Sequence, residues 1–420
     1  MLPIRASLSA LFFLVLIGAS LLVGADAAVP KLALSSGLLL IGGVIVGRGP
    51  FQMSPRLLAF GGAGGLAIVL SQGGGGHLVG ALPDLFALCA AAALVLGFAS
   101  LGAETRRLRN QALNGIGWSL LLVILIGVFG YLIDPGRVLG AEKSFHLSRL
   151  TGTYLSANSA ATLYGMAACL AVAGLGRALS SDQPWPERMA RAGPLPYLLL
   201  LAAVSALMMT GSRAGIVAST VGVVATLVGL RRRFPWRATS GVMLGALLFG
   251  SLIAALLGGD SAPDRVVGLG ATDSGRGLLW SACLQAIREA PLFGHGMGAF
   301  QTALSPHITL ETAPLLSQQG AAHQWLLQWL VQAGIVGTLG GVAVLLTGIV
   351  AGLAGLRDQP APTASAAALG ASTVLLLHGL VDYGAEIPAN LWWWAAILGL
   401  GAGAARRPAT PKAPLGDSGA

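Results

Sequence analysis

About twelve apolar runs follow one another along this 420-residue chain and leave little room for anything else. A hydrocarbon core of about 30 Å needs about 20 helical residues to cross. Runs approaching or exceeding that length fall near 8–24, 32–47, 57–71, 85–101, 112–133, 153–176, 195–211, 214–230, 238–257, 322–354, 364–381 and 388–405. The second and third are short and broken by glycine, and the run at 322–354 can bend at Gly334, so about eleven to thirteen spans are expected. A hydrophobic share of 55%, a charged share of 10% and a mean hydropathy of +0.77 fit a multi-spanning, all-α membrane protein and leave no room for a soluble domain.

Charge placement gives an orientation. Lys and Arg concentrate in cytoplasmic loops. With twelve spans and both ends inside, Arg5, Arg48, Arg56, Arg106, Arg107, Arg109, Arg177, Arg188, Arg191, Arg231, Arg232, Arg233, Arg237, Arg357, Arg406, Arg407 and Lys412 face the cytoplasm, out of 25 basic residues. The long hydrophilic loop 258–320 then lies outside. The net charge of +9 follows from this topology and calls for no nucleic acid.

Met1–Ala27 imitates a cleavable signal peptide, but eleven further spans make an uncleaved first helix the simpler reading. Cys89, Cys169 and Cys283 are odd in number and far apart, which indicates packing residues rather than disulfides or a metal cluster. The 61 glycines suit close helix approach in lipid. Gly73–Gly76 reads as a mobile outer loop, and the Pro-, Ala- and Gly-rich tail 406–420 as a disordered cytoplasmic extension.

Ionisable groups within a membrane are costly, so their positions point to function. The middles of the spans hold no Asp or Glu, which weighs against an ion-coupled carrier. Polar residues gather instead at the outer ends of spans: Arg149, Asn158, Ser212, Arg213, Arg276, Arg288, His295, His323, His378, Asp382, Tyr383 and Glu386. Arg213 sits in the tight reversal Thr210–Gly215, where a guanidinium can meet a phosphate in bidentate fashion; a snorkelling Arg is the structural alternative. Arg276 opens a segment to Ala290 in which Leu279, Trp280, Cys283 and Ile287 recur at helical steps, stopped by Pro291. That pattern predicts an amphipathic helix on the outer leaflet, with Arg276 at the anion-attracting helix start or, alternatively, as a solvated surface residue.

His323 opens the run Ala322–Leu330. A helix N-terminus favours neutral imidazole, which can take a proton, although a lone His is more often structural. His295, in a glycine-rich turn, and His307, in an irregular loop, carry the structural reading. There is no Asp-x-Asp motif, no His/Cys/Asp set with metal-ligand spacing, no P-loop and no Gly-x-Ser-x-Gly elbow. Metal-dependent nucleotide-sugar chemistry, ATP hydrolysis and serine hydrolysis are disfavoured, and no cofactor is expected.

The succession Gly275-Arg-Gly-Leu-Leu-Trp280, Pro291-Leu-Phe-Gly-His-Gly-Met-Gly-Ala-Phe300 and His323-Gln-Trp-Leu-Leu-Gln-Trp-Leu-Val-Gln-Ala-Gly-Ile-Val-Gly337 resembles the O-antigen ligase and O-antigen polymerase family of bacterial envelope glycosyltransferases. Arg149–Asn158, Gly211-Ser-Arg213, His378–Asp382 and Ile387–Asn390 agree with it. The resemblance divides the chain into N-terminal transmembrane helices (1–148) and a ligase/polymerase-like membrane domain (149–400) containing the 258–320 loop.

The resemblance implies a fold like the GT-C-type membrane glycosyltransferases, in the bacterial inner membrane, with the long loop periplasmic and a cavity open to lipid. It implies a donor glycan on undecaprenyl diphosphate, which arrives activated by its own leaving group. Arg213 and Arg276 would receive the leaving diphosphate without a metal, with Arg149 as a further phosphate candidate, and His323 would act as general base on the acceptor hydroxyl. The acceptor is lipid A-core for ligase-type transfer, the favoured reading, or a growing chain for a repeat-unit polymerase of O-antigen or exopolysaccharide. A small-solute transporter is the alternative from another class.

Overall fold

A computed structural model of the chain describes residues 2–47, 53–179, 184–230, 248, 274–358 and 363–405. The helices are α1 (Leu2–Leu21), α2 (Ala28–Val46), α3 (Pro55–Gly74), α4 (Leu78–Glu104), α5 (Arg106–Ile133), α6 (Ala157–Leu179), α7 (Trp185–Ala192), α8 (Leu195–Met209), α9 (Arg213–Gly229), α10 (Ser274–Glu289), α11 (Phe300–Leu304), α12 (Ala313–Leu316), α13 (Trp325–Leu353), α14 (Gly355–Asp358), α15 (Thr363–Gly379) and α16 (Pro388–Ala404). A two-stranded hairpin, β1 (Arg137–Val138) with β2 (Ala141–Glu142), follows α5.

Among the described residues six helices, α2, α3, α4, α5, α6 (over Ala157–Gly176) and α13, are long and apolar enough to cross a membrane. Ala10–Leu21 of α1, α8, α9 and α15 are shorter apolar helices. The chain is thus a mostly helical membrane protein. The expected span at 238–257, Arg231–Arg233, residues 258–273 of the long loop and the tail 406–420 lie outside the described residues.

α16 is the centre of the bundle. Trp392, Trp393 and Trp394 are all buried, and each indole N–H donates inward: to Ala87 O, Ser20 Oγ and Ser372 Oγ, each at 3.0 Å. A helix apolar on every side belongs in an interior. Gly399 lets it approach α4 so closely that a Cβ there would stand 2.5 Å from Val95 O. α15 packs antiparallel between α6 and α9, and α3 runs beside α13.

The connections 22–27, 75–77, 134–156, 210–212 and 380–387 gather at one end with the described part of the long loop, 274–320, and the 321–324 entry to α13. Tyr154 OH donates to Asn390 Oδ1 (3.1 Å), Gly296 packs on His77, and Trp280 Nε1 donates to Ala322 O (3.0 Å). Two sequence expectations change here. Gly73–Gly76 is no open loop: α3 runs to Gly74, whose bare backbone receives the Phe293 ring, and Gly75, Gly76 and His77 bond back to Ser71, Gly73 and Gln72. The helix opened by Arg276 exists, but its apolar face does not rest on a lipid leaflet. Leu279, Ala282, Cys283 and Ala286 instead find a partner surface in Phe300, Leu304, Leu316, Ala322 and Val331, and form a second small core.

The bend expected at Gly334 is a full break, with φ 60° and ψ −168° inside α13. The freed backbone groups are satisfied by the Pro-Leu-Phe-Gly-His-Gly segment. His295 and Gly296 N–H donate to Val331 and Gln332 O (2.8 and 2.9 Å), while Ile335 and Val336 N–H donate to Pro291 and Leu292 O (2.9 and 3.1 Å). Gln72 of α3 closes the seam by accepting from Met297 N at 2.8 Å. Irregular backbone within a membrane protein survives only where protein covers it, and here the loop does so.

Gly334→Ala would place a Cβ 2.5 Å from the Leu292 carbonyl in a conformation that only glycine adopts readily. It is expected to cost about 1–3 kcal/mol or more, read as a lower thermal midpoint in detergent. Gly130→Ala on α5, with nothing within 4 Å of the added methyl, should leave the midpoint unchanged or raise it.

Candidate functional site

His323 lies two residues before α13, and its backbone is fixed from both directions. Ala322 O accepts from Trp280 Nε1, and Ala322 N donates to Gln328 Oε1 at 2.7 Å. Gln324 caps α13 by accepting from Leu327 N. His323 itself takes φ 51°, the left-handed region that non-glycine residues seldom occupy. The fixed neighbours hold that conformation, which turns the imidazole towards the 380–387 connection. Strain of this kind gathers at functional sites.

There the ring meets Asp382. His323 Nδ1 stands 3.0 Å from Asp382 Oδ1, with the His side chain 25% exposed and the Asp side chain 1% exposed. The Tyr383 ring contacts the imidazole edge-on, with centroids 5.0 Å apart. If Nδ1–H is donated to the carboxylate, a neutral ring keeps a lone pair on Nε2. A buried carboxylate thus meets a partly exposed imidazole, an arrangement that can activate a hydroxyl nucleophile.

Electrostatics separates the two carboxyls of this connection. Burial raises the Asp382 carboxyl, but the His323 hydrogen bond, the His378 and His323 charges and the Tyr383 N–H outweigh it and hold it below the usual carboxylate range. Burial and the Asp84 charge push Glu386 up to about 8, against the Trp329 N–H (2.9 Å) and Lys31. The surroundings therefore favour the anion at Asp382 and the neutral acid at Glu386. Environments that drive two nearby carboxyls apart assign separate roles to them.

The loop carrying Asp382 is held by residues that the sequence comparison grouped without explaining. Asn390 Nδ2 donates to Gly384 O and Ser159 O (2.9 and 3.0 Å). Arg149, 8% exposed, donates from Nε to Thr210 O (2.6 Å) and from a terminal nitrogen to Asn158 Oδ1 (3.0 Å), with His146 Nδ1 2.9 Å from its other terminal nitrogen. It fastens the 210–212 turn, where Gly211 takes φ 59° and Ser212 caps α9 by accepting from Gly215 N.

Arg213, the first residue of α9, is exposed. α9 and α15 are antiparallel, with Gly229 against Ala366 and Gly222 against Val374, so the start of α9 lies level with the end of α15, near His378–Asp382. Arg276, in the first turn of α10, acts electrostatically on His378 and so belongs to the same neighbourhood. Two further histidines make contacts elsewhere in the loop: His295 Nε2–H donates to Ala286 O at 2.8 Å, and His307 lies 3.4 Å from Glu289.

Asp382 is the residue whose role the sequence reading missed. It was visible as a polar residue at a span end, but a separation of 59 positions gave no hint that it meets His323. Lys31 and Asp84 were missed as well. They form a 2.7 Å ion pair near the site end of α2 and α4, because those helices extend beyond the apolar runs. Among the described residues no group of three or more His, Cys, Asp or Glu could hold a metal ion.

Residues 198–342, about a third of the chain, match the family model described as O-antigen ligase. The match runs from α8 through the first half of α13 and takes in Arg213, Arg276 and His323. No curated protein matches the chain.

Arg149→Lys keeps the charge but cannot serve several acceptors at once. It is expected to lower the unfolding midpoint of the substrate-free protein by the equivalent of about 1.5–3 kcal/mol, the scale of a hydrogen bond to a charged group. An unchanged midpoint in a thermal melt would instead leave Arg149 with ligand binding as its task.

Proposed function

We propose that this membrane protein of the O-antigen ligase family transfers a glycan from undecaprenyl diphosphate to an acceptor hydroxyl at the periplasmic face of the bacterial inner membrane. The orientation follows the inward bias of Lys and Arg, with about twelve spans and the 258–320 loop outside. The observation that carries the chemistry is the His323–Asp382 contact at 3.0 Å. In the proposed step His323 Nε2 takes the proton of the acceptor hydroxyl as its oxygen attacks the anomeric carbon, and the carbon–oxygen bond to the diphosphate breaks with inversion.

Arg213 and Arg276 supply fixed positive charge for the departing diphosphate, so the transfer needs no metal. Arg149 enters through the turn that presents Arg213 and remains a further phosphate ligand. Within the family we favour ligase-type transfer onto lipid A-core, in line with the description of the matching family. A neutral imidazole held by a buried carboxylate is better suited to proton abstraction than to moving a small solute.

In a strain lacking the chromosomal copy, Arg213→Ala and His323→Ala are each expected to abolish surface glycan at normal protein level. The loss for His323 should be on the order of 10²–10⁴ in transfer rate. His323→Asn, which keeps an N–H for Asp382 but is too weak a base to take the proton, should be equally inactive and better folded, because removing one partner of a buried pair costs about 3–5 kcal/mol. Long glycans stranded on the carrier would identify a lost ligase and single repeat units a lost polymerase. Normal glycan profiles in all three variants would refute the catalytic assignment.

A further inference from the structure

The last turn of α5 and the hairpin that follows it enclose a cleft with about 260 Å³ of empty space, part of it open to solvent. Gly130, Tyr131, Arg137, Leu139, Lys143 and Thr151 are among its walls. Lys143 is only 6% exposed; its Nζ donates to Arg149 O at 3.0 Å and stands 5.6 Å from the centre of the Tyr131 ring. Among the described residues no carboxylate lies within ion-pair distance of that nitrogen. Arg137 does meet carboxylates, Glu142 at 3.1 Å and Asp134 at 4.0 Å, but both sit on the exposed rim, where ion pairs contribute little. A buried charge is costly unless an opposite charge meets it. Burial pushes the Lys143 pKa down, Asp134 opposes this and Arg149 adds to it. The surroundings thus work against the ammonium, and an anion in the cleft would relieve it.

The rim of the cleft is apolar. Ile133, at the end of α5, and Leu139, at the tip of the hairpin, are both exposed. Leu139 and Gly140 take φ 51° and 91°, the positive values of two-residue hairpin turns in which Asn-Gly is usual. Leucine is a costly choice there for the backbone, and it suits a tip that meets lipid. α5 is long and apolar enough to cross a membrane, so its last turn lies at the bilayer surface. Gly130 keeps one wall of the cleft open, since an added Cβ would meet nothing within 4 Å.

We propose that the cleft binds a phosphorylated lipid, with phosphate oxygens held by Lys143 and Arg137 and the acyl chains lying against Ile133 and Leu139. Charge complementarity selects the phosphate, and the apolar rim selects a lipid over the free anion. The narrow interior suits phosphate oxygens rather than a sugar ring. Neither Arg213 nor Arg276 lines this cleft, so it is separate from the place proposed for the departing diphosphate. The two are joined through the chain: Lys143 holds Arg149 O, and the Arg149 side chain fastens the turn before Arg213.

The test is native mass spectrometry of the purified full chain released from detergent, with phosphatidylglycerol, diacylglycerol or glycerol phosphate added. Wild type is expected to retain phosphatidylglycerol in preference to diacylglycerol. Lys143→Met should weaken phosphatidylglycerol binding about tenfold, the scale of one hydrogen bond to a charged group. Gly130→Leu, which fills the cleft and leaves every charge in place, should weaken it similarly. Should Lys143→Met fail to fold, Gly130→Leu and Arg137→Gln decide the matter. Equal retention by wild type and these folded variants overturns the inference. Displacement of the lipid by an equal concentration of glycerol phosphate overturns it as well, because the site would then be one for free phosphate. The readout needs no turnover, so failure of the proposed transfer chemistry would leave it standing.

Discussion

The contact between His323 and Asp382 is the constraint around which the site end of the molecule is built. A carboxylate that is 1% exposed is costly unless a donor meets it. The donor that meets it belongs to a segment 59 positions away, at the start of a different helix. Bringing the two together requires a left-handed backbone at His323, both backbone groups of Ala322 fixed, and a 380–387 connection stapled to α6 through Asn390. Each is a local cost or commitment that the fold makes in order to place one imidazole nitrogen at a defined point with its lone pair outward.

The broken helix gives the same region its rigidity. A break at Gly334 in the middle of α13 would leave backbone groups without partners where water is scarce. The segment 291–297 enters the gap and pairs with both edges of it, and Gln72 fastens the seam to α3. The half of α13 that follows His323 is therefore held by the same loop that begins with Arg276. The segment that follows α10 is thereby joined to the helix that follows His323. The glycines at 294, 296 and 298, all with positive φ, allow the backbone to pass close to α13 and His77.

Much of this was legible in the sequence, and for identifiable reasons. Long apolar runs favour helix, so the helices that flank the site were found close to their positions, and six of the described ones are long and apolar enough to cross a membrane. The 210–215 reversal was read correctly because two long runs leave only a turn between them. The bend at Gly334 followed from glycine in a run too long for one crossing. What escaped were long-range pairings. Nothing in 291–296 as a string of residues says that it mends a helix, and nothing in His378–Asp382 says which of its members meets His323. The apolar stripe of α10 has the period of a leaflet-bound helix, and periodicity alone does not tell lipid from a second protein core.

The proposed transfer requires His323, Asp382, Arg213 and Arg276 to face the periplasmic side of the membrane. Leu310, 96% exposed in the long loop, offers a direct test when replaced by Cys in a Cys89→Ala background, since Cys169 and Cys283 are buried. A membrane-impermeant maleimide applied to cells with a permeabilised outer membrane and an intact inner membrane should label position 310. Labelling that appears only after the inner membrane is lysed would put the site in the cytoplasm and contradict the account.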